Sequence, residues 1–229
     1  MANHLDLEEQ EQLDEIKHFW KQYGNAITWV LIVVLGAYAA WNGYQYWQRS
    51  QAAQAAAMFD EVEKVAREGD AEKLERAFND MKERFAATAY APQAGLLVAQ
   101  TLYAAGKVDG AKAALTWVTE KSKDGGYGAV ARLRLAGVLM DSKAYDEALK
   151  VLDTGMAEEF AALQADRRGD ILMAQGNKPE AKAQYLKAFK AMDARTDYRR
   201  LVLVKLNTLG VDPLADGVAP PAEKGTASK

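Results

Sequence analysis

The sequence contains no cysteine and only two histidines, His4 and His18. Without cysteine the chain cannot form disulfides, bind a metal through thiolates or carry a lipid on a cysteine. Both histidines precede the apolar segment described below, and no Gly-x-Ser-x-Gly, His-Glu-x-x-His or Walker sequence occurs. We therefore expect no catalytic residues, no metal site and no cofactor.

Basic residues are not in excess either, since the formal net charge is -3 and the pI is about 5.6. A nucleic-acid-binding protein is expected to concentrate positive charge on one face. The glycine-rich stretch 123–128 lacks the preceding strand and the following Lys-Ser or Lys-Thr of a phosphate loop, which favours a connector. We expect neither nucleic acid nor a small-molecule substrate.

Charged side chains are absent from Gln22 to Gln48, although 27% of the whole chain is charged. A helix from Ala26 to Tyr46 would be roughly 31 Å long at about 1.5 Å per residue, and a bilayer core is about 30 Å thick. Aromatic side chains, which prefer the membrane boundary, flank both ends of this segment. The residues predicted at the membrane interface are Trp20, Tyr23, Trp41, Tyr44, Tyr46 and Trp47.

The apolar segment has three other interpretations: a buried core helix, a cleaved signal peptide and a helix in the membrane plane. A buried core helix would need no aromatic side chains at both ends and would normally be shorter or carry a polar stripe. The sequence Ala37–Ala39 resembles a signal-peptide cleavage site, but residues 1–22 are acidic, whereas a signal peptide begins with a positive region. A helix lying in the membrane plane is disfavoured by the uniform apolarity of Val30–Leu35. The sequence favours an acidic tail at residues 1–22 followed by an uncleaved transmembrane helix at residues 23–47.

Positive charges near the segment indicate its orientation only weakly. Lys17 and Lys21 precede it, and Arg49 and the more distant Lys64 follow it. Positive residues close to a span favour the cytoplasmic side. The pair before the span slightly favours a cytoplasmic N-terminus.

Residues 48–210 show the pattern of successive short helices. Apolar residues recur three and four positions apart, and glycine, proline and asparagine interrupt them at intervals, as at Gly69, Gly106 and Gly176. Alternating apolar and polar residues, which would indicate strands, are nearly absent. The sequence therefore predicts an all-α domain.

Small residues recur within these helices at about the tetratricopeptide period of roughly 34 residues. They fall on both helices of each predicted hairpin, where they allow close approach. The two sets are Ala99, Ala136 and Gly169 in the first helices, and Ala111, Ala148 and Ala181 in the second. We predict three tetratricopeptide-like repeats.

Further segments flank the repeats. A looser hairpin at Gln51–Phe85 precedes them, and a final helix at Tyr198–Leu209 would cover the exposed edge of the last repeat. Residues 211–229 are rich in proline and glycine and predict a disordered tail. The tetratricopeptide-like helical-repeat domain is thus placed at residues 48–210.

Function in such a repeat protein belongs to the concave surface formed by the first helix of each pair. Projecting the repeat onto that surface gives a mixture of polar, aromatic and flexible apolar side chains, suited to contact with a peptide. The predicted partner-binding groove comprises Gln93, Leu96, Gln100, Tyr103, Leu133, Gly137, Met140, Asp166, Asp170 and Met173. The last helix could cover part of this groove.

Two local sequences around the apolar segment carry a resemblance to a known family. The acidic tail ends in Ile16-Lys-His-Phe-Trp-Lys-Gln-Tyr-Gly-Asn25, and the segment leaves the apolar stretch through Ala40-Trp-Asn-Gly-Tyr-Gln-Tyr-Trp-Gln-Arg-Ser-Gln51. Together with the order of tail, span and helical repeats, these sequences make the chain similar to the YfgM-like ancillary subunits of the bacterial Sec translocon. The resemblance covers most of residues 8–210.

The resemblance implies a bacterial inner-membrane protein that crosses the membrane once, with a cytoplasmic N-terminus and a periplasmic helical domain. It implies association with the SecYEG translocon and with a membrane-anchored periplasmic chaperone of the prolyl-isomerase class. It supplies no catalytic residues, so we expect an interaction scaffold and not an enzyme. The alternatives are a holdase chaperone that binds unfolded clients directly and an assembly factor for another envelope complex.

Overall fold

The described part of the chain is helical. The structure, a computed structural model, describes residues 7–215, with side chains from residue 13 onward. Those residues form nine α-helices, one short 3-10 helix at Glu158–Phe160 and no strand. The α-helices are α1 (Leu7–Glu68), α2 (Ala71–Phe85), α3 (Tyr90–Ala104), α4 (Val108–Lys121), α5 (Gly125–Asp141), α6 (Tyr145–Leu152), α7 (Ala161–Ala174), α8 (Lys178–Ala191) and α9 (Asp197–Thr208). The predicted all-α fold class is confirmed.

Two compact units divide the chain, the first ending at Gln51 and the second beginning at Ala52. In the first unit, each residue from Val30 to Leu35 exposes more than half of its surface. Within the part of the chain that the structure describes, α1 is the one helix long and apolar enough to cross a membrane. Burying such side chains in lipid is favourable by about 1.5–3 kcal/mol each. The helix therefore suits the predicted transmembrane segment, whose ends at residues 23 and 47 stay predictions.

Polar side chains inside the apolar segment bond to the helix backbone. The Thr28 hydroxyl donates to the carbonyl oxygen of Gly24 at 2.7 Å, and the Asn42 amide donates to that of Tyr38 at 3.0 Å. In lipid no water is available to bond these groups, so internal partners lower the cost of burying them. Both side chains are thereby compatible with a membrane interior.

The second unit is a series of helical hairpins that contact their neighbours in order along the chain. Its first hairpin shares one apolar core with the repeats. The buried cluster that contains residues of α3 to α7 also contains Val62 and Val65 of α1 and Leu74 and Phe78 of α2. A second cluster is formed by residues of α7, α8 and α9. Half-buried Leu149 of α6 contacts both clusters.

The three repeated hairpins turn in the same way. In each, a backbone N–H just after the turn donates to the carbonyl oxygen of an equivalent leucine, at 2.8–2.9 Å; the pairs are Lys107 with Leu102, Ala144 with Leu139, and Asn177 with Leu172. The residue before each donor has a positive φ, namely Gly106, Lys143 and Gly176. This arrangement is a common helix C-terminus, in which glycine is favoured. The predicted repeat register is therefore visible in the backbone.

Small residues lie where the helices of a hairpin approach closely. Ala111, Ala148 and Ala181 are fully buried. Gly169 of α7 shows why size matters, because a Cβ atom there would lie 2.5 Å from the ring of Tyr185 on α8. Real side chains do not approach so closely, so α7 and α8 pack at a distance that only glycine permits at this position.

The C-terminal boundary differs from the prediction. Val211 and Pro213, placed in the tail by the sequence, are buried, and the Val211 N–H donates to the carbonyl oxygen of Leu206 at 3.1 Å. Val211 belongs to the apolar cluster that includes residues of α7, α8 and α9, and this burial outweighs the local proline and glycine content. The rest of the predicted tail, residues 216–229, and residues 1–6 of the predicted acidic tail lie outside the described residues.

Candidate functional site

A cavity of about 420 Å³ lies on the predicted groove, between α3, α5 and α7. We call it the central cavity. Gln100, Tyr103 and Gly137, all predicted groove residues, line it. Its charged lining residues are Arg134 and Asp141 of α5 and Arg167 of α7, none of which the sequence projection identified.

Asp141 and Tyr103 form a hydrogen bond across the central cavity. The Tyr103 hydroxyl donates to Oδ2 of Asp141 at 2.5 Å, linking α3 to α5. The hydrogen bond to this carboxylate, with smaller contributions from burial and negative charge, raises the pKa of Tyr103. The hydroxyl therefore stays protonated at neutral pH and occupies one oxygen of Asp141.

The two arginines of the central cavity are held differently. Arg134 donates one N–H to the carbonyl oxygen of Leu96 at 3.2 Å and forms no ion pair with the described residues. Arg167 lies near Gly137, where an added Cβ would be 3.5 Å from its Nη1, and that nitrogen is 3.9 Å from Asp170. Both guanidinium groups keep donors that no described protein group uses.

The remaining apolar groove residues lie beside the cavity. Leu96, Leu133, Met140 and Met173 are half-buried and contact the two apolar clusters. They leave part of their apolar surface accessible on the first helices of the repeats. Gln93 is also half-buried, and its side-chain amide donates to the hydroxyl of Tyr127.

The two predicted groove acids take part in a cluster with the last helix. Lys205 of α9 lies 2.8 and 2.9 Å from the two carboxylate oxygens of Asp166 and 2.6 Å from Asp170. The Tyr198 hydroxyl donates to Asp166 at 2.7 Å, and the Tyr185 hydroxyl donates to Asp170 at 2.9 Å. Asp166 is only 2% exposed. Helix α9 therefore covers this end of the predicted groove, and Asp166 is not accessible to a partner.

Both tyrosines of this cluster resist ionisation. Burial is the main cause that raises the pKa of Tyr185 above its ordinary value, and the charge of Asp170 adds to it. Burial also raises the pKa of Tyr198, followed by its hydrogen bond to Asp166. A tyrosinate oxygen there would lose its hydrogen bond and be repelled by the neighbouring carboxylate.

We expect the stability of the folded chain to fall above about pH 10, the ordinary pKa of tyrosine. Because the folded-state pKa values of Tyr185 and Tyr198 are raised, their contribution is present below pH 10 and lost as pH rises. Urea unfolding at a series of alkaline pH values would measure this loss. The double variant Tyr185→Phe/Tyr198→Phe should lose less stability over the same interval, and an identical loss would contradict the assignment.

The predicted membrane-interface residues are all exposed on α1. Trp20 and Tyr23 lie near one end of the apolar segment, and the others lie from Trp41 to Trp47 near the other. Trp20 and Trp41 are about 32 Å apart along the helix axis at 1.5 Å per residue. This separation is close to the thickness of a bilayer core. Among the described residues, no group of three or more histidine, cysteine, aspartate or glutamate side chains is arranged to hold a metal ion.

Several known proteins are similar to the chain. Proteins named "Ancillary SecYEG translocon subunit" match it from Neisseria gonorrhoeae, at 34% identity over 91% of this chain and 100% of the relative, and from Escherichia coli, at 29% over 89% and 97%. One from Haemophilus influenzae matches at 28% over 89% and 98%. The crystal structure of BtubC (BKLC) from P. vanneervenii has a similar fold, with a TM-score of 0.51 at 14% identity over 80% of this chain and 97% of that one.

A family model described as a tetratricopeptide repeat-like domain matches residues 17–211. The match includes the apolar segment of α1, the hairpins and α9. The relatives are matched over nearly their whole length, so the similarity is not confined to the repeats. The chain belongs to the family of ancillary SecYEG translocon subunits, which carry a tetratricopeptide repeat-like domain.

Proposed function

We propose that this protein is a membrane-anchored scaffold at the bacterial Sec translocon. Helix α1 would hold it in the inner membrane beside SecYEG, and the helical repeats would recruit a periplasmic chaperone during protein export. The observation that carries the proposal is the joining, in one chain, of an exposed apolar helix to repeats with an accessible central cavity. The names of the relatives support the translocon as the place of action.

The proposal includes an orientation and a second partner. The N-terminus lies in the cytoplasm and the repeats lie in the periplasm, in keeping with Lys17 and Lys21 before the span. The chaperone is membrane-anchored and of the prolyl-isomerase class. Because both proteins would be confined near the channel, effective concentrations near the millimolar range allow weak groove contacts to suffice.

Site-specific photo-crosslinking in intact membranes tests this function. A photoreactive residue at Ile32 of the span should give a discrete adduct with a SecYEG subunit. One at Gln100, which is exposed and lines the central cavity, should give a discrete adduct with the chaperone. Lys187, exposed on α8, is the matched control and should give neither adduct.

Different adducts would identify the alternatives. A holdase would give a broad distribution of exported clients from Gln100, since it would contact many unfolded chains. An assembly factor would give discrete adducts with subunits of another envelope complex. Absence of any SecYEG adduct from Ile32 would contradict the proposed function.

A further inference from the structure

The charges lining the central cavity are unequal. Its charged lining residues are Arg134, Arg167 and Asp141, two cations and one anion. The carboxylate of Asp141 already accepts a hydrogen bond from the hydroxyl of Tyr103. Asp170, the other carboxylate near Arg167, lies 3.9 Å from that arginine but 2.6 Å from Lys205, so its charge is shared between two cations. The lining therefore retains positive charge in a chain whose net charge is negative.

The arginine side chains are positioned by neighbouring residues. Gly137 presents no side chain under Arg167, whose Nη1 and Cζ lie within 3.5 and 3.7 Å of the place a Cβ would occupy. Arg134 of α5 is exposed, and one of its N–H groups donates to the carbonyl oxygen of Leu96 at 3.2 Å. A guanidinium group that a neighbouring residue already holds loses less freedom when it binds an anion.

Apolar side chains lie one helical turn from the cavity on the same faces. Leu96 precedes Gln100 by four residues on α3, and Leu133 and Met140 lie four before and three after Gly137 on α5. All three apolar side chains are half-buried. A ligand that fills the cavity would therefore meet the two arginines of its lining and apolar surface beside them.

We propose that the central cavity receives the side-chain carboxylate of an aspartate or glutamate with apolar neighbours, within a segment of the partner protein. A guanidinium group binds a carboxylate through two parallel hydrogen bonds. The side-chain amide of a glutamine ligand cannot replace the carboxylate in this pair, and a lysine of the protein cannot replace the guanidinium group. Apolar residues on either side of the acid would contact Leu96, Leu133 and Met140. This inference rests on the proposed function, because it names the chemistry of the segment that the groove would bind.

Peptide binding to the full chain in lipid nanodiscs tests the inference. The probe is a short fluorescent peptide of serine and leucine with one central glutamate and blocked ends. Its matched partner has glutamine in place of the glutamate. Fluorescence polarisation should show the glutamate peptide binding about tenfold more tightly, the effect of a charge-assisted hydrogen bond. The preference should decrease at high salt.

Variants of the chain assign this preference to the cavity. Arg134→Gln and Arg167→Gln should each remove most of the glutamate preference, and Arg134→Glu should shift the preference toward a central lysine. Arg200→Gln is the matched control, because Arg200 is exposed on α9 and pairs with Asp197, so it should change nothing. Circular dichroism would verify that each variant keeps its helices.

Three results would overturn the inference. The first is equal affinity for the glutamate and glutamine peptides, including no binding of either. The second is an equal loss of preference in Arg200→Gln. The third is tight binding of a glutamine peptide whose free C-terminus supplies the only carboxylate, since the cavity would then recognise a chain end.

The proposed function is tested by a measurement that is independent of peptide binding. Crosslinks from Ile32 in the span report association with SecYEG and do not depend on the two arginines. A SecYEG adduct together with peptides that are not discriminated would reject the acidic ligand and leave the translocon scaffold standing. Absence of the SecYEG adduct with both arginines present would reject the scaffold, whether or not the glutamate peptide binds more tightly than the glutamine peptide.

Discussion

We expect the substitution Lys205→Met to lower the free energy of unfolding of the full chain by about 3 kcal/mol. Lys205 neutralises Asp166, which is almost completely buried, and Asp170, which is partly buried. Methionine keeps much of the length of lysine, but it leaves the buried Asp166 carboxylate without its cation and Asp170 with only the more distant Arg167. Removing one partner of a buried ion pair costs about 3–5 kcal/mol, and the partial exposure of Lys205 and Asp170 favours the lower end.

The loss should be concentrated near the C-terminus, because each hairpin contacts mainly its neighbours. Amide hydrogen exchange should accelerate in α9 and in α7, whereas α2 to α4 should keep their protection. Urea unfolding followed by circular dichroism would measure the overall change. Both measurements use the full chain in detergent.

Two further variants make the test specific. Lys187→Met removes an exposed lysine from α8 and should change stability by less than about 0.5 kcal/mol. The triple variant Asp166→Asn/Asp170→Asn/Lys205→Met removes the charges together and should recover part of the stability lost in Lys205→Met. If Lys205→Met behaves like Lys187→Met, the ion cluster does not hold α9 in place.

The helices and the repeat register were predictable because they depend on local periodicity. Glycine marks the turns at Gly106 and Gly176, and buried small residues such as Ala148 mark close helix contacts. The end of the folded region was not predictable in this way. Val211 follows a helix stop and precedes proline, so local signals indicate a tail, yet long-range apolar contact buries it.

The lining of the central cavity was only partly predictable. Helical projection identified Gln100 and Tyr103, because their position depends on the face of α3 alone. It missed Arg134 and Arg167, whose long side chains reach the cavity from positions adjacent to predicted Leu133 and Asp166. Projection considers each helix alone. Which cavity an arginine side chain lines, and which groove residues α9 buries, depend on how neighbouring helices pack.

The largest effect is expected from charges placed inside the apolar segment. Arginine at the centre of a transmembrane helix costs about 2.5–3.5 kcal/mol, so Ile32→Arg/Leu35→Arg should disfavour insertion by about 6 kcal/mol. Both positions are more than half exposed on α1, so no described protein surface would shield the new charges. The unmodified chain should stay with membranes in alkaline carbonate, and the double variant should appear in the supernatant.

The conservative variant Ile32→Leu/Leu35→Ile is the matched control, since it changes shape at the same positions and keeps the apolar character. It should remain in the membrane pellet. Intact mass measurement of the purified chain addresses the competing signal-peptide interpretation, because cleavage after Ala39 would remove most of the span. A mature chain that begins after Ala39, or a double-arginine variant that stays in the pellet, would contradict membrane anchoring by this helix. The proposed confinement near the channel, which would allow weak groove contacts to suffice, would then be lost as well.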